Sequence, residues 1–269
     1  MSQAVNTDAP LMRALLAPDD PPAVEIVNRD GASRALLLCE HAGRAVPRGL
    51  NGLGLDAADM GKHIAWDIGA EGVARCLSKR INAPLVLQRY SRLVIDTNRP
   101  PESPECIPET SDGVTIPGNA ALDDAARRQR YDEIHKPLHD TVAELLDQRA
   151  ESGCAGVLLT IHSFTPVFGG QKRGMSIGLL FNRDRRLADA LKAALMRVAP
   201  DDDIALNAPY SVDDDSDYAI PVHGERRGIP HVLIELRNDL IRDDAGQNLW
   251  AERLSDALSI AFDTLENSQ

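Results

Sequence analysis

Two histidines sit where short apolar runs give way to polar residues. His41 follows ALLLCE (residues 35–40), and His162 follows VLLTI (157–161). Two further runs end in chemistry-bearing groups: RLVI leads into Asp96 through Arg99, and HVLI leads into Glu235 through Asn238. Asp67 stands in AWDIGA, at the predicted start of a helix. Two histidines and a carboxylate are the usual protein donors of a catalytic zinc site, which leaves one position open. Neutral imidazole nitrogen and carboxylate oxygen both suit Zn²⁺. His41, Asp67 and His162 are the candidate ligands. Zn²⁺ acidifies water towards a pKa of about 7 and polarises a carbonyl. The released proton needs an acceptor, and Glu235 is the candidate general base.

Each of these residues has an ordinary alternative. A histidine at a strand end is commonly a satisfied core or surface residue. An aspartate near a helix N-terminus is favoured by the helix dipole alone. Glu235 suits a salt bridge with Arg237 or Arg226. Glu40, beside His41, and His63, just before the Asp67 turn, are rival ligands. His135 and His139 are four apart in EIHKPLHD, but HExxH is absent and Pro137 interrupts the turn, which favours a surface or capping role. His223, next to Gly224, suits a supporting or substrate-contacting role, and His231 begins its strand at the wrong end. Ser163 and Arg237, beside the principal candidates, are further candidate substrate contacts. The chain has no GxGxxG fingerprint and no P-loop. FGGQKRG (residues 168–174) is glycine-rich and basic without phosphate-loop spacing, and reads as a loop suited to an anionic substrate. DDDSD (213–217) reads as a solvated acidic turn.

These residues need elements to carry them. Short apolar runs predict strands at 35–39, 83–89, 91–97, 157–161, 175–181 and 230–235, with lengths that suit buried strands better than helices. Apolar spacings of three and four predict helices over 66–81, 123–151, 185–199 and 248–266. Residues 102–119 are rich in Pro, Gly, Ser and Thr, the mark of a functional loop. Strands alternating with helices argue for a sheet between helix layers, whose ligands gather outside the carboxyl ends of the strands. With 269 residues, 43% apolar and 26% charged, the chain suits one α/β domain over residues 23–269 after a loosely ordered lead-in, 1–22. Aromatics are only 4%, so the core must rest on Leu, Ile, Val and Ala. The net charge of −12 argues against nucleic acid or an anionic membrane as partner. Neither an export signal nor a membrane-spanning run is visible, and four scattered cysteines without a CxxC pair read as free thiols. The expected location is therefore the cytoplasm.

Taken together, LLLCEHAGRAVP, AWDIGA, SRLVIDTNRP, TIHSFTPVFGG, NAPYSVDD and HGERRGIPHVLIELRNDLI resemble the N-formylglutamate amidohydrolase family, and more closely its divergent amidohydrolase-like branch. The resemblance spans residues 35–241. It implies a three-layer αβα fold of the phosphorylase/hydrolase type, shared with zinc exopeptidases, around a mixed, mostly parallel sheet. It implies hydrolysis of the amide of a small anionic N-acyl amino acid with one zinc ion, held by His41, Asp67 and His162, and with Glu235 as base. Asn98-Arg99 resembles a dipeptide that grips the substrate carboxylate in related enzymes, a task a guanidinium performs through paired hydrogen bonds. Arg92 adds charge near the polarised carbonyl. The chain departs from relatives with an HxxE metal motif, since Arg44 takes the Glu position, and it reads CEHAG where histidine-degradation enzymes read SPHSG. The acyl group and amino acid stay open. Alternatives are a muramoyl-alanine-type amidase acting on cell-wall fragments and a ligand-binding homologue without catalysis. The composition is compatible with a homodimer.

Overall fold

The computed structural model describes residues 14–154 and 156–267. Eleven strands are present among them: β1 (Val24–Val27), β2 (Ala35–Cys39), β3 (Leu85–Gln88), β4 (Thr110–Ser111), β5 (Val114–Thr115), β6 (Val157–Phe164), β7 (Val167–Phe168), β8 (Gln171–Lys172), β9 (Ile177–Leu180), β10 (Ile204–Leu206) and β11 (His231–Arg237). Seven form one sheet in the order β1-β3-β2-β6-β11-β9-β10, and β4-β5 and β7-β8 are separate hairpins. The central strands β3, β2, β6 and β11 run parallel. β1 and β9 pair antiparallel with β3 and β11, and β10 follows β9 in parallel. The sheet is thus mixed and mostly parallel, as the sequence predicts.

Helices cover both faces. Helices α1 (Ala70–Ile81), α4 (Arg186–Val198) and α5 (Asp244–Glu266) pack on one side against Leu37, Cys39, Leu85, Leu87, Leu159 and Ile161. The intervening residues Leu36, Leu38, Val86 and Leu158 face Leu138, Val142, Leu145 and Leu146 of α3 (Lys136–Glu151). Successive strand side chains alternate faces, so a strand covered on both sides is apolar throughout. Each buried Leu or Val contributes about 1.5–3 kcal/mol of transfer free energy.

The structure corrects several expectations. Residues 91–97 form no strand. Their apolar side chains Leu93, Val94 and Ile95 are buried in a second core with Tyr90, Cys106, Ile107 and Ile116. The backbone turns instead, because side chains satisfy it locally: Ser91 Oγ accepts from the Leu93 amide at 3.1 Å and Asp96 Oδ1 from the Asn98 amide at 2.9 Å. Arg130 and Asn119 donate to the carbonyls of Val94 and Leu93, each at 2.8 Å. The helix predicted over 123–151 is divided into α2 (Asp124–Arg130) and α3 by a wide turn, Tyr131–His135. Pro137 has no amide hydrogen to continue the ladder, so the backbone widens just before it. The edge strands β1 and β10, too short for a pattern, carry no sequence prediction. Of the predicted lead-in, residues 1–13 lie outside the described residues. The part that follows is tied down: Glu133 accepts from the amides of Leu15 and Leu16 at 2.8 and 2.9 Å.

Candidate active site

The parallel strands place their polar termini at one sheet edge. Glu40 and His41 directly follow β2, while His162 and Ser163 lie inside β6, directly after its apolar stretch. Glu235 of β11 pairs in register with His162. Asp67 precedes α1, its amide donating to the His41 carbonyl at 3.0 Å. The turn into α1 needs Gly69, which has φ 83°. A Cβ there would lie 2.2 Å from the Ile241 carbonyl oxygen, so only glycine allows Asp67 to sit over the strand ends. Gly178 on β9, opposite Glu235, has a similar role: a Cβ would meet the Ala208 carbonyl at 2.0 Å. Its absence lets segment 207–211 lie beside the site.

His41, Asp67 and His162 are buried, and one donor atom of each lies within 4.8 Å of the others. Both Nδ1 atoms face the same oxygen, Asp67 Oδ2, at 3.3 Å for His41 and 2.9 Å for His162. Their far nitrogens meet other carboxylates. His41 Nε2 is 2.7 Å from Asp96 Oδ1. His162 Nε2 is 3.0 Å from Glu40 Oε2, within ion-pair reach but out of line for a hydrogen bond. A carboxylate on the distal nitrogen orients a metal-binding histidine and fixes its tautomer. Glu40 therefore stands behind His162 and not among the donors. His63, the other rival, is partly exposed and lies 3.5 Å from Asp112.

The electrostatics fit a cation. Burial disfavours a charge on His162, yet Glu40 and Asp67 outweigh it and hold its pKa well above the ordinary value. Burial and Arg92 oppose a charge on His41, but Asp96 and Asp67 raise it as well. Burial pushes Asp67 up, and the two histidines together hold it far below the usual carboxylate range. Two imidazoles drawn towards positive charge beside a carboxylate held ionised form a donor set a divalent ion fits. Glu235 differs. Burial raises it to about 7 against the pull of His162, and its Oε2 has no hydrogen-bond partner among the described residues.

These groups line a cavity of about 580 Å³, together with Arg92, Asn98, Arg99, Ser163, Tyr210, Asp213 and Asp217. A second cavity of about 410 Å³ shares His63, Arg92, Arg99 and Tyr210 with it and reaches the β4-β5 hairpin. The irregular 102–119 segment is thus part of the cleft wall.

Other sequence candidates are placed differently. Arg92 lines the cavity, donates to Asp96 Oδ2 through Nε at 2.9 Å and Nη2 at 2.5 Å, and reaches within 3.6 Å of Asp67. Asn98 also lines it, but its amide serves segment 217–219: Nδ2 donates to Asp217 Oδ1 at 3.1 Å, and Oδ1 accepts from the Tyr218 and Ala219 amides at 3.3 and 3.1 Å. Arg99 donates to the Ser216 carbonyl at 2.5 Å and lies 3.3 Å from Glu105 and 3.8 Å from Asp217. Ser163 Oγ donates to the Ile68 carbonyl at 2.9 Å, and its amide lies 3.3 Å from Asp67 Oδ2. Arg237 is not brought to the cavity; it donates to the Gly174 carbonyl and to Asp239, each at 2.8 Å. His223 is also kept away from it, packed with His135 and His139. Asp96 was visible in DTNR as a polar terminus but carried no assigned role. Its bonds to His41 and Arg92 make it central, and the adjoining basic residue in SRLVID was the available signal.

The fold is α/β, a mixed seven-stranded sheet between helix layers, with the site at the carboxyl ends of its parallel strands. Residues 33–242 match the N-formylglutamate amidohydrolase family, and the chain belongs to that family. It is similar to the crystal structure of a gene product of Agrobacterium tumefaciens, at 40% identity over 94% of this chain and 99% of that one, with a TM-score of 0.90. It also shares its fold with an N-formylglutamate amidohydrolase from Ralstonia eutropha, at 15% identity over 92% of this chain and 100% of that one, with a TM-score of 0.60. No curated protein matches the chain.

Proposed function

We propose that this amidohydrolase is zinc-dependent and cleaves the amide of a small anionic N-acyl amino acid, N-formylglutamate-like, with Glu235 as general base. The observation that carries the reading is the convergence of His41 Nδ1, His162 Nδ1 and Asp67 Oδ2 in a cavity onto which Glu235 also opens. Those three residues would hold the ion. When bound, Zn²⁺ supplies Lewis acidity for a carbonyl and for water. Asp96 and Glu40 keep the histidines oriented. Glu235 takes a proton from the attacking water and returns it to the departing nitrogen, so that hydroxide adds to the carbonyl carbon, the C–N bond breaks, and a carboxylic acid and an amine leave. A carboxyl group with a pKa of about 7 suits both halves of that exchange. Arg92 provides positive charge beside the developing oxyanion.

The same reading includes a cytoplasmic location, supported by the four free cysteines Cys39, Cys76, Cys106 and Cys154. Among the described residues no helix is long and apolar enough to cross a membrane. The test is a hydrolysis screen of zinc-loaded protein against formyl-, acetyl- and succinyl-amino acids, with Glu235→Gln as control. Turnover that requires zinc and Glu235 is the expected result. Turnover undiminished by chelation, or by that substitution, would overturn the assignment.

A further inference from the structure

Two arginines, Arg92 and Arg99, line the double cavity and a third, Arg173, packs on its aromatic residues; the three differ in their partners. Arg92 is paired with Asp96 and Asp67. Arg99 has Asp217, Glu105 and the Ser216 carbonyl. Arg173, directly after the β7-β8 hairpin, forms no ion pair with a carboxylate among the described residues. Its Nη1 donates to Tyr210 Oη at 2.9 Å. Its guanidinium carbon lies 4.7 Å from the centre of the Phe168 ring, 4.8 Å from that of Tyr210 and 5.9 Å from that of Phe164.

Those rings locate the cation. Phe164 lines the catalytic cavity, Phe168 the neighbouring one, and Tyr210 both. Arg173 itself lines neither cavity but packs directly on the rings that line them, one hydrogen bond away through Tyr210 Oη. Phe168 and Tyr210 are 44% and 43% exposed, so this aromatic rim is open to solvent. Rings hold a guanidinium through their faces and consume few of its five N–H donors. The catalytic cavity is also lined by Asp213, Asp217 and Glu235, carboxyl groups that repel an anion when ionised.

We propose that Arg173, framed by Phe168 and Tyr210, is the residue that binds the free carboxylate of the substrate, in place of the Asn98-Arg99 pair. The proposal rests on the N-acyl amino acid reading, and it makes the β7-β8 hairpin the specificity wall. Asn98 and Arg99 keep a different task, holding segment 216–219 against the cavity.

The test is calorimetric titration of zinc-loaded protein with N-acetyl-L-glutamate and with its uncharged diamide. Wild-type protein is expected to prefer the diacid by about 10–100-fold, the range of charge-assisted hydrogen bonds. Arg173→Met should bring the two ligands to parity, and Arg173→Lys should restore part of the preference. Arg99→Met should retain it. A preference that survives in Arg173→Met, one that disappears in Arg99→Met alone, or its absence in wild-type protein would each overturn the proposal. Amide hydrolysis without this discrimination would remove the carboxylate site and leave the enzyme reading intact. Discrimination without hydrolysis would do the opposite.

Discussion

Two groups of buried histidines bond to one short segment, Asp96 to Arg99, and their chemistry is opposite. His41 and His162 meet Asp67, Asp96 and Glu40, and both are raised towards the charged form. His135, His139 and His223 meet aromatic rings and backbone carbonyls, and all three are lowered. His135 Nε2 donates to the Arg99 carbonyl at 3.0 Å and His139 Nε2 to the Thr97 carbonyl at 2.7 Å. With that tautomer, His139 Nδ1 accepts from His223 Nε2 at 3.0 Å. Burial alone drives imidazole neutral, and carboxylates at hydrogen-bond distance reverse it. The first cluster has the donor set of a cation site. The second props up the Thr97–Arg99 backbone, whose neighbour Asp96 orients His41.

The contrast breaks most sharply if the first cluster is not a metal site. His162→Ala should lose stoichiometric zinc and all zinc-dependent turnover, measured by metal analysis after reconstitution, whereas His139→Phe should keep its zinc. Equal zinc content in wild type and His162→Ala would refute the division. Glu235→Gln is expected to lower kcat about 1,000-fold with zinc content unchanged, since general-base catalysis contributes about 100- to 10,000-fold. Asp96→Asn should weaken zinc about 10–100-fold in a chelator competition, the usual effect of removing a carboxylate behind a metal-bound histidine. Unchanged affinity would reduce Asp96 to a partner of Arg92.

Smaller effects sharpen the second cluster. His139→Phe removes the donor to the Thr97 carbonyl and should cost about 1–3 kcal/mol in urea unfolding. The pH dependence has a definite sign. Burial, followed by Arg227, lowers His223 to about 4 from the ordinary 6.5. Between those values the unfolded chain binds a proton that the native one refuses. The contribution of His223 is complete above pH 6.5 and declines as pH falls towards 4, with a limiting slope of about 1.4 kcal/mol per pH unit. His223→Phe should flatten the urea midpoint over that interval, and a parallel profile would show that His223 does not titrate there.

Much of this was legible in the chain. Strands such as ALLLC and VLLTI were readable because burial on both faces demands uninterrupted apolar residues, and α1, α4 and α5 because one face of a helix must be apolar. RLVI misled for the same reason: its residues are buried, but hydrophobicity does not say whether a backbone is extended or turned. Asn119, Arg130 and Asp96 decided that, from sites far away in sequence or by local capping. The candidate donors His41, Asp67, His162 and Glu235 were nameable from residue type and strand position.

What the sequence determined by itself was residue chemistry and periodicity: an α/β fold, a zinc-type donor set and an acidic surface. Tertiary structure alone decided which nitrogen of each imidazole faces Asp67, that Glu40 stands behind His162, and that Asn98 and Arg99 have partners while Arg173 has no carboxylate partner among the described residues. Those outcomes depend on distances of about 3 Å between residues as much as 122 positions apart, and a one-dimensional pattern carries no such distances. Side-chain type is inherited from the chain, whereas protonation and partnership are set by whatever the fold brings alongside.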